Sequence, residues 1–357
     1  MNNFITLCTS ARKMPELPSV DISQLPARLS KRLWIEPEEM VRCVQALVLA
    51  EWAIGLCQGR RALPVVMRRG RKTVYRDSSI LVMALIQVAW QMSYEDVVDY
   101  LRSHTATAET IGFTQGRVIG VSQYWQRRRA LGIFPFWLFF VALAWQLLRC
   151  GILHGQDVIL DATTQHSWFH GDSDAAWSFP KPGKGSVWGY KVHTLLCRHA
   201  QLPLMFLVTP ANRQESLFAI PLLTLAVALY GLSFTIVRAD AGYFTYAILN
   251  FIRTVLGAGF MIDYNLRRKG KRFLATRFFV NQWRFHLRPR STIERHFAWA
   301  KRYFGLESAR WAGLVAAYQH TALVYASMLV VALLAHRFQR PELATSRSRV
   351  LALKTLS

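Results

Sequence analysis

Apolar positions follow one period through the first 150 residues and another beyond them. Residues 37–57 carry Val41, Val44, Leu47, Val48 and Ile54 at the three-to-four spacing of a helix buried along one face. Residues 77–91 and 93–103 continue that period. The second of these opens Ser93-Tyr94-Glu95-Asp96, a capping serine followed by acids in the first turn. Residues 122–129 begin another helix, expected to run on into the uncharged stretch 131–148. Residues 31–150 are therefore predicted to be all helical. Residues 1–30, with Pro15, Pro18 and Pro26 and no sustained period, read as a loose arm.

After residue 150 the texture changes to short apolar runs bounded by turn residues. Residues 158–163 (VILDAT), 187–198 and 202–209 read as strands, 216–230 as a helix and 234–239 as a buried strand before Asp240. A helix over 246–256, closed by Gly257, and a strand over 259–264 follow. The order β-β-β-α-β-α-β, then helix, predicts a mixed five-stranded α/β sheet with antiparallel strands first and parallel crossovers after. Residues 151–340 form that domain and 341–357 a tail.

Composition narrows the function. The 357 residues hold 44 Lys and Arg against 21 Asp and Glu, a formal charge of +23, yet only 18% are charged and 52% are hydrophobic. A disordered basic tail is excluded, and a folded chain this basic either meets a polyanion or offsets its self-repulsion by some other gain. The five cysteines are scattered and form no CxxC pair, which fits a reducing, cytoplasmic setting. Mean hydropathy is +0.16, so a multipass membrane protein is the rival class. Against it, Pro135 and Gln146 interrupt the 131–148 run, arginines abut both its ends, and the run 322–335 is short for a span. No membrane partner is expected.

Two acids sit at strand ends. Asp161 closes the first strand and Asp240 follows the fourth, and in this order the two strands lie side by side. Ligands of open α/β sheets bind outside the carboxyl ends of the strands. Two adjacent carboxylates repel unless a cation lies between them, and hard oxygen donors suit Mg²⁺ or Mn²⁺. Each could instead begin a turn. A third acid, Glu294, shares a helix face with Arg290 and Lys301, at spacings of four and seven. That arrangement suits a metal and phosphate site, while Ser291 with Glu294 also has the spacing of a capping box. Residues 267–310 contain thirteen basic residues and two acids, interleaved with Phe273, Phe278, Phe279, Trp283 and Phe285. Such interleaving fits phosphate contact with base stacking. His166 and His170 read as loop residues rather than metal ligands, and His193 either lines the site or packs.

Several segments together resemble the DDE transposases of bacterial insertion sequences, of the insertion-sequence-four and -five type. They are Asp161-Ala-Thr; Gly189-Tyr190-Lys191-Val-His193; Pro203 with Val208-Thr209-Pro-Ala211-Asn212; Ala239-Asp240-Ala-Gly242-Tyr243; and Arg290, Glu294 and Lys301. In the N-terminal half the resemblance extends to Gly70-Arg-Lys, Tyr75-Arg-Asp77 and Ser122 with Arg127 to Arg129. The chain departs from the family's pattern at Leu287, usually Tyr, and at Glu215, usually Asp.

The resemblance implies a ribonuclease-H-like catalytic domain, with a basic insertion near 265–288, behind a helical DNA-binding domain. It implies that Asp161, Asp240 and Glu294 hold two Mg²⁺ or Mn²⁺ ions and cleave and join DNA. Arg290, Lys301, Lys191, Arg268, Lys269, Lys271, Arg272, Arg71 and Lys72 are the expected DNA contacts. The expected partners are double-stranded DNA, both terminal inverted repeats and target, and a second copy of the chain in a nucleoid-associated homodimer. A nuclease of the same fold that cuts without joining is the alternative activity.

Overall fold

The computed structural model describes residues 35–58, 75–114, 117–178, 185–262, 291–307 and 311–347. The chain divides into two compact units. One comprises Leu148–Arg302 and Leu306–Ala317; the other runs to Leu147 and takes in Tyr303–Gly305 and the segment from Tyr318 onward. The chain from Tyr318, expected within the sheet domain, thus belongs to the helical unit.

The helical unit begins with α1 (Pro37–Cys43) and α2 (Ala46–Gln58), one predicted helix broken into two. Gln45 takes φ 52° between them, and the axes bend by 63°. α3 (Asp77–Ala89) is buried from Ser78 to Ala89, apolar on all sides because the fold surrounds it. α4 (Tyr94–Ser103) has the expected capping box: Ser93 Oγ accepts from the Asp96 N–H and Asp96 accepts from the Ser93 N–H. A short α5 (Thr105–Thr110) follows, which the sequence did not signal.

α6 (Val121–Ala130) and α7 (Phe134–Arg149) are separate helices bent by 79°, not the continuous one expected. Gly132 supplies the left-handed turn at φ 71°. Arg127 pairs with Asp77 and donates to the Tyr75 carbonyl at 3.1 Å. Arg128, buried, donates to Gln87, which also accepts from the Tyr124 hydroxyl. Sequence segments 37 to 52 residues apart are thereby tied together.

α11 (Leu314–Arg337) closes the helical unit, and its residues from Ala322 to Ala335 are buried almost throughout. Among the described residues this is the one single helix long and apolar enough to cross a membrane, and there are up to three if bent pairs count as spans. Here it packs as a core helix. Gln319 is buried on it and donates to the carbonyls of Arg128 and Gly132, both at 2.9 Å.

The other unit is built on β1 (Asp157–His166), β2 (Ala176–Ser178), β3 (Val187–Cys197), β4 (Leu202–Pro210), β5 (Ile236–Ala239) and β6 (Gly259–Ile262). β1 lies between β3, antiparallel, and β5, parallel, with β6 parallel beyond β5. The outer edge of β3 pairs with β2 at its start and β4 along the rest. The sheet is the mixed α/β arrangement expected, with six strands rather than five. β2 escapes the sequence because Asp172, not apolar periodicity, builds the loop before it. The buried Asp172 carboxylate accepts from Ser167, Tyr190 and the N–H groups of Asp174 and Gly313.

After β4 come a 3₁₀ turn (Glu215–Phe218) and α8 (Ala219–Tyr230), ended by Gly231 in the left-handed conformation. A second 3₁₀ turn (Ala241–Tyr243) follows β5, then α9 (Tyr246–Asn250), which widens into a π turn over Phe251–Val255. α10 (Thr292–Phe304) places Ile293 and Phe297 against Ile159 of β1 and Leu196 of β3, which are cross-strand partners.

At the start of β1 the buried carboxylate of Asp157 accepts from Arg238 on β5, at 2.7 and 3.1 Å, and from Arg198 at 2.7 Å. Burial alone would raise its pKa, but the two guanidiniums outweigh burial and hold it below the usual carboxylate range. Asp157→Ala leaves Arg238 buried without its counter-charge. It is expected to cost ~3–5 kcal/mol of stability, measurable by urea denaturation.

Candidate active site

The parallel register of β1 and β5 ends with Leu160 opposite Ala239. The next residue on each strand is an acid, so Asp161 and Asp240 stand at the same level of two neighbouring strands, both partly exposed. Each turns one oxygen to a nearby amide. Asp161 Oδ1 accepts from the Ala162 N–H at 2.8 Å, and Asp240 Oδ1 from the Gly242 N–H at 2.7 Å. A Cβ at position 242 would lie 2.9 Å from Asp240 Oδ1, so glycine is needed for the carboxylate to take this position.

α10 crosses the same side of the sheet. Side chains alternate along a strand, so Ile159 and Asp161 project to one face, and Ile159 is the residue that packs against Ile293. Glu294, the next residue after Ile293, is exposed in the first turn of α10. The helix is fastened by His296 Nδ1 to the Gln201 carbonyl at 3.2 Å, and its end by the Ala300 carbonyl, which accepts from the Leu306 N–H. Gln165 of β1 donates to the Leu306 carbonyl at 2.9 Å. Lys301 lies on α10 paired with Glu307.

A fourth acid, Glu215, approaches from the turn after β4, which packs against the turn Ala241–Tyr243. Glu215 pairs with Lys191 at 3.1 Å, and Lys191 also donates to the Arg213 carbonyl at 3.1 Å. The lysine side chain is only 13% exposed. This inward pairing differs from the phosphate contact expected of Lys191. Two residues along β3, His193 is buried, bonded through Nε2 to Thr209 and stacked on Phe218 at 4.4 Å. Burial, with Lys191 adding to it, pushes its pKa down to about 3. His193 is thus a neutral packing residue bracing the Glu215 turn.

Tyr243 closes the arrangement. Its side chain is fully buried and its hydroxyl has no hydrogen-bond partner among the described residues. Burial first, then the charges of Glu215, Asp161 and Asp240, push its pKa well above the ordinary range. The phenol is therefore neutral and sits in the field of three carboxylates.

Among the described residues no three His, Cys, Asp or Glu side chains converge at the reach of a single ion. Asp161 and Asp240 are each satisfied locally by an amide. The donor set nonetheless fits a hard divalent cation. It offers carboxylate oxygens at adjacent strand ends, and near them a buried hydroxyl without a hydrogen-bond partner among the described residues. Glu215 stood out in the sequence only as a departure from the family pattern, and nothing local marked Tyr243 as a group that the charges of all three acids reach. Arg290, Arg268, Lys269, Lys271, Arg272, Arg71 and Lys72, and the basic insertion near 265–288, lie outside the described residues.

Residues 154–330 match the family model described as the transposase DDE domain. No curated protein matches the chain.

Proposed function

The chain belongs to the DDE transposases, and from that premise we propose that it binds the ends of an insertion sequence, cleaves them and joins them to target DNA. The observation that carries this reading is the placement of Asp161 and Asp240 at one level of two adjacent parallel strands. With Glu294 they are the proposed ligands of two divalent ions, Mg²⁺ or Mn²⁺. Bound there, such ions supply activation of an attacking oxygen and stabilisation of the leaving one in an in-line phosphoryl displacement.

The chain's own residues do the rest. The sheet fixes Asp161 and Asp240 through the β1–β5 register, and α10 carries Glu294 on the Asp161 side. Arg290 offers a planar fork and Lys301 a point charge to the phosphates beside the acids. Lys301 would exchange Glu307 for a phosphate oxygen on binding. The basic residues from Arg268 to Arg272 and Arg71 with Lys72 would carry further backbone contacts, in keeping with the +23 charge. Because cutting and joining are both attacks on phosphodiesters, one set of acids serves both steps without a covalent protein–DNA intermediate. Two ends brought together imply a homodimer in the DNA complex.

The test is a strand-transfer assay with labelled duplexes bearing the terminal repeats that flank the coding region, a plasmid target and Mg²⁺ or Mn²⁺. Joined products, dependent on the repeat sequence and on the cation, are expected. Cleavage with no joining under any cation would replace the transposase mechanism with that of a nuclease.

A further inference from the structure

Tyr243 carries a polar atom that none of the described residues uses. Its ring fills a fully buried position, which Phe would fill equally well, while the hydroxyl lacks a hydrogen-bond partner among the described residues. Burying an unpaired hydroxyl costs about 1–3 kcal/mol, so the hydroxyl lowers the stability of the metal-free fold. The charges that face it are, in falling order of effect, Glu215, Asp161 and Asp240. A neutral phenol has one directed O–H to give, and the three carboxylates whose charges reach it are all acceptors. Asp161 and Asp240 instead spend an oxygen each on Ala162 and Gly242.

Glu215 belongs with this group. The turn that bears it packs on the turn that bears Tyr243. Lys191, 3.1 Å away and itself anchored on the Arg213 carbonyl, holds Glu215 in place and offsets the added negative charge. His193, stacked on Phe218, braces the same turn. The fold thus commits a lysine, a buried histidine ring and two packed turns to keeping a fourth carboxylate beside an unused donor.

Given the cation-dependent chemistry proposed above, we propose that Tyr243 is a positioning residue of this site, its hydroxyl donating to a carboxylate oxygen when a divalent cation is bound, with Glu215 as the fourth acid of the group. The phenol's role is to orient a carboxylate, not to react. Partners that orient metal-binding groups typically change metal affinity by about ten- to a hundredfold when removed.

The test uses the full chain and Mn²⁺ itself, followed by the shift in thermal denaturation and by the free-Mn²⁺ paramagnetic resonance signal. Tyr243→Phe is expected to melt at or above the wild-type temperature without metal, yet to need about tenfold more Mn²⁺ for half of the shift. Glu215→Gln is expected to raise that midpoint too, and the double variant to be no worse than the weaker single one, since both disrupt one arrangement. If Glu215→Gln misfolds through the freed lysine, the pair Glu215→Gln with Lys191→Met restores neutrality and replaces it. A Tyr243→Phe midpoint equal to wild type, a lower metal-free melting temperature with the Mn²⁺ response intact, or strict additivity of the two changes overturns the assignment. A wild-type protein that ignores Mn²⁺, or whose response survives Asp161→Asn, overturns the two-metal reading instead. A response lost in Asp161→Asn but kept in Tyr243→Phe removes only the tyrosine.

Discussion

Asp161→Asn and Asp240→Asn are each expected to lower DNA cleavage by a factor on the order of a thousand or more, a loss of about 4 kcal/mol of transition-state stabilisation. Each change removes one unit of negative charge from the proposed cation site and leaves side-chain volume unchanged. Neither should unfold the protein. An asparagine oxygen can still accept from the Ala162 or the Gly242 N–H, the bonds that each aspartate makes now. DNA affinity should be kept or slightly raised, because a carboxylate near phosphate repels it. Cleavage of an end-labelled duplex and a mobility-shift titration on the same preparations separate the two effects, and Glu294→Gln should behave alike. A variant that binds and still cleaves near the wild-type rate would remove that acid from the site.

Acidification from pH 7 to pH 5 is expected to destabilise the fold by on the order of 2 kcal/mol for each of three buried histidines. Burial pushes His193 to about 3 and His296 and His320 to about 4, the last also facing Arg128. In the unfolded chain each titrates near 6.5. Between these limits the unfolded state binds protons that the folded state refuses, so stability is complete above about pH 6.5 and declines as pH falls toward 4. The carboxylates act lower. Asp157 and Asp172 are held below the usual range by their hydrogen bonds, despite burial, so their contribution persists above the unfolded carboxylate pKa and is lost only beneath it. Urea denaturation at pH 7, 6 and 5 should show the decline, and His193→Gln should lessen it by about a third. A level profile across that window would mean that the rings take up protons in the folded state.

Local order was legible along most of the chain. Apolar period distinguished the helical half from the sheet half, and the acids at the ends of two strands were visible because each apolar run stops at one. That Asp161 and Asp240 stand level also followed from strand order, since a parallel crossover brings the two strands together. The helix of Glu294 could be read from the amphipathic spacing of Ile293, Phe297 and Phe304. Strand β2 was not legible, since three residues pairing with the start of β3 owe their place to Asp172 and its four donors.

Other features were decided only by tertiary structure, because periodicity reports that a residue is buried but not against what. Asp77 and Arg127 meet across 50 residues, and the chain from Tyr318 joins the helical unit although it follows the sheet in sequence. Lys191 reads as a phosphate contact, and its pairing with Glu215 comes only from the fold. Tyr243 was legible only as part of the Ala239–Tyr243 segment that carries the family resemblance. The carboxylates whose charges reach its hydroxyl, which lacks a partner among the described residues, come from β1, the end of β5 and the turn after β4, and no segment of sequence contains all three.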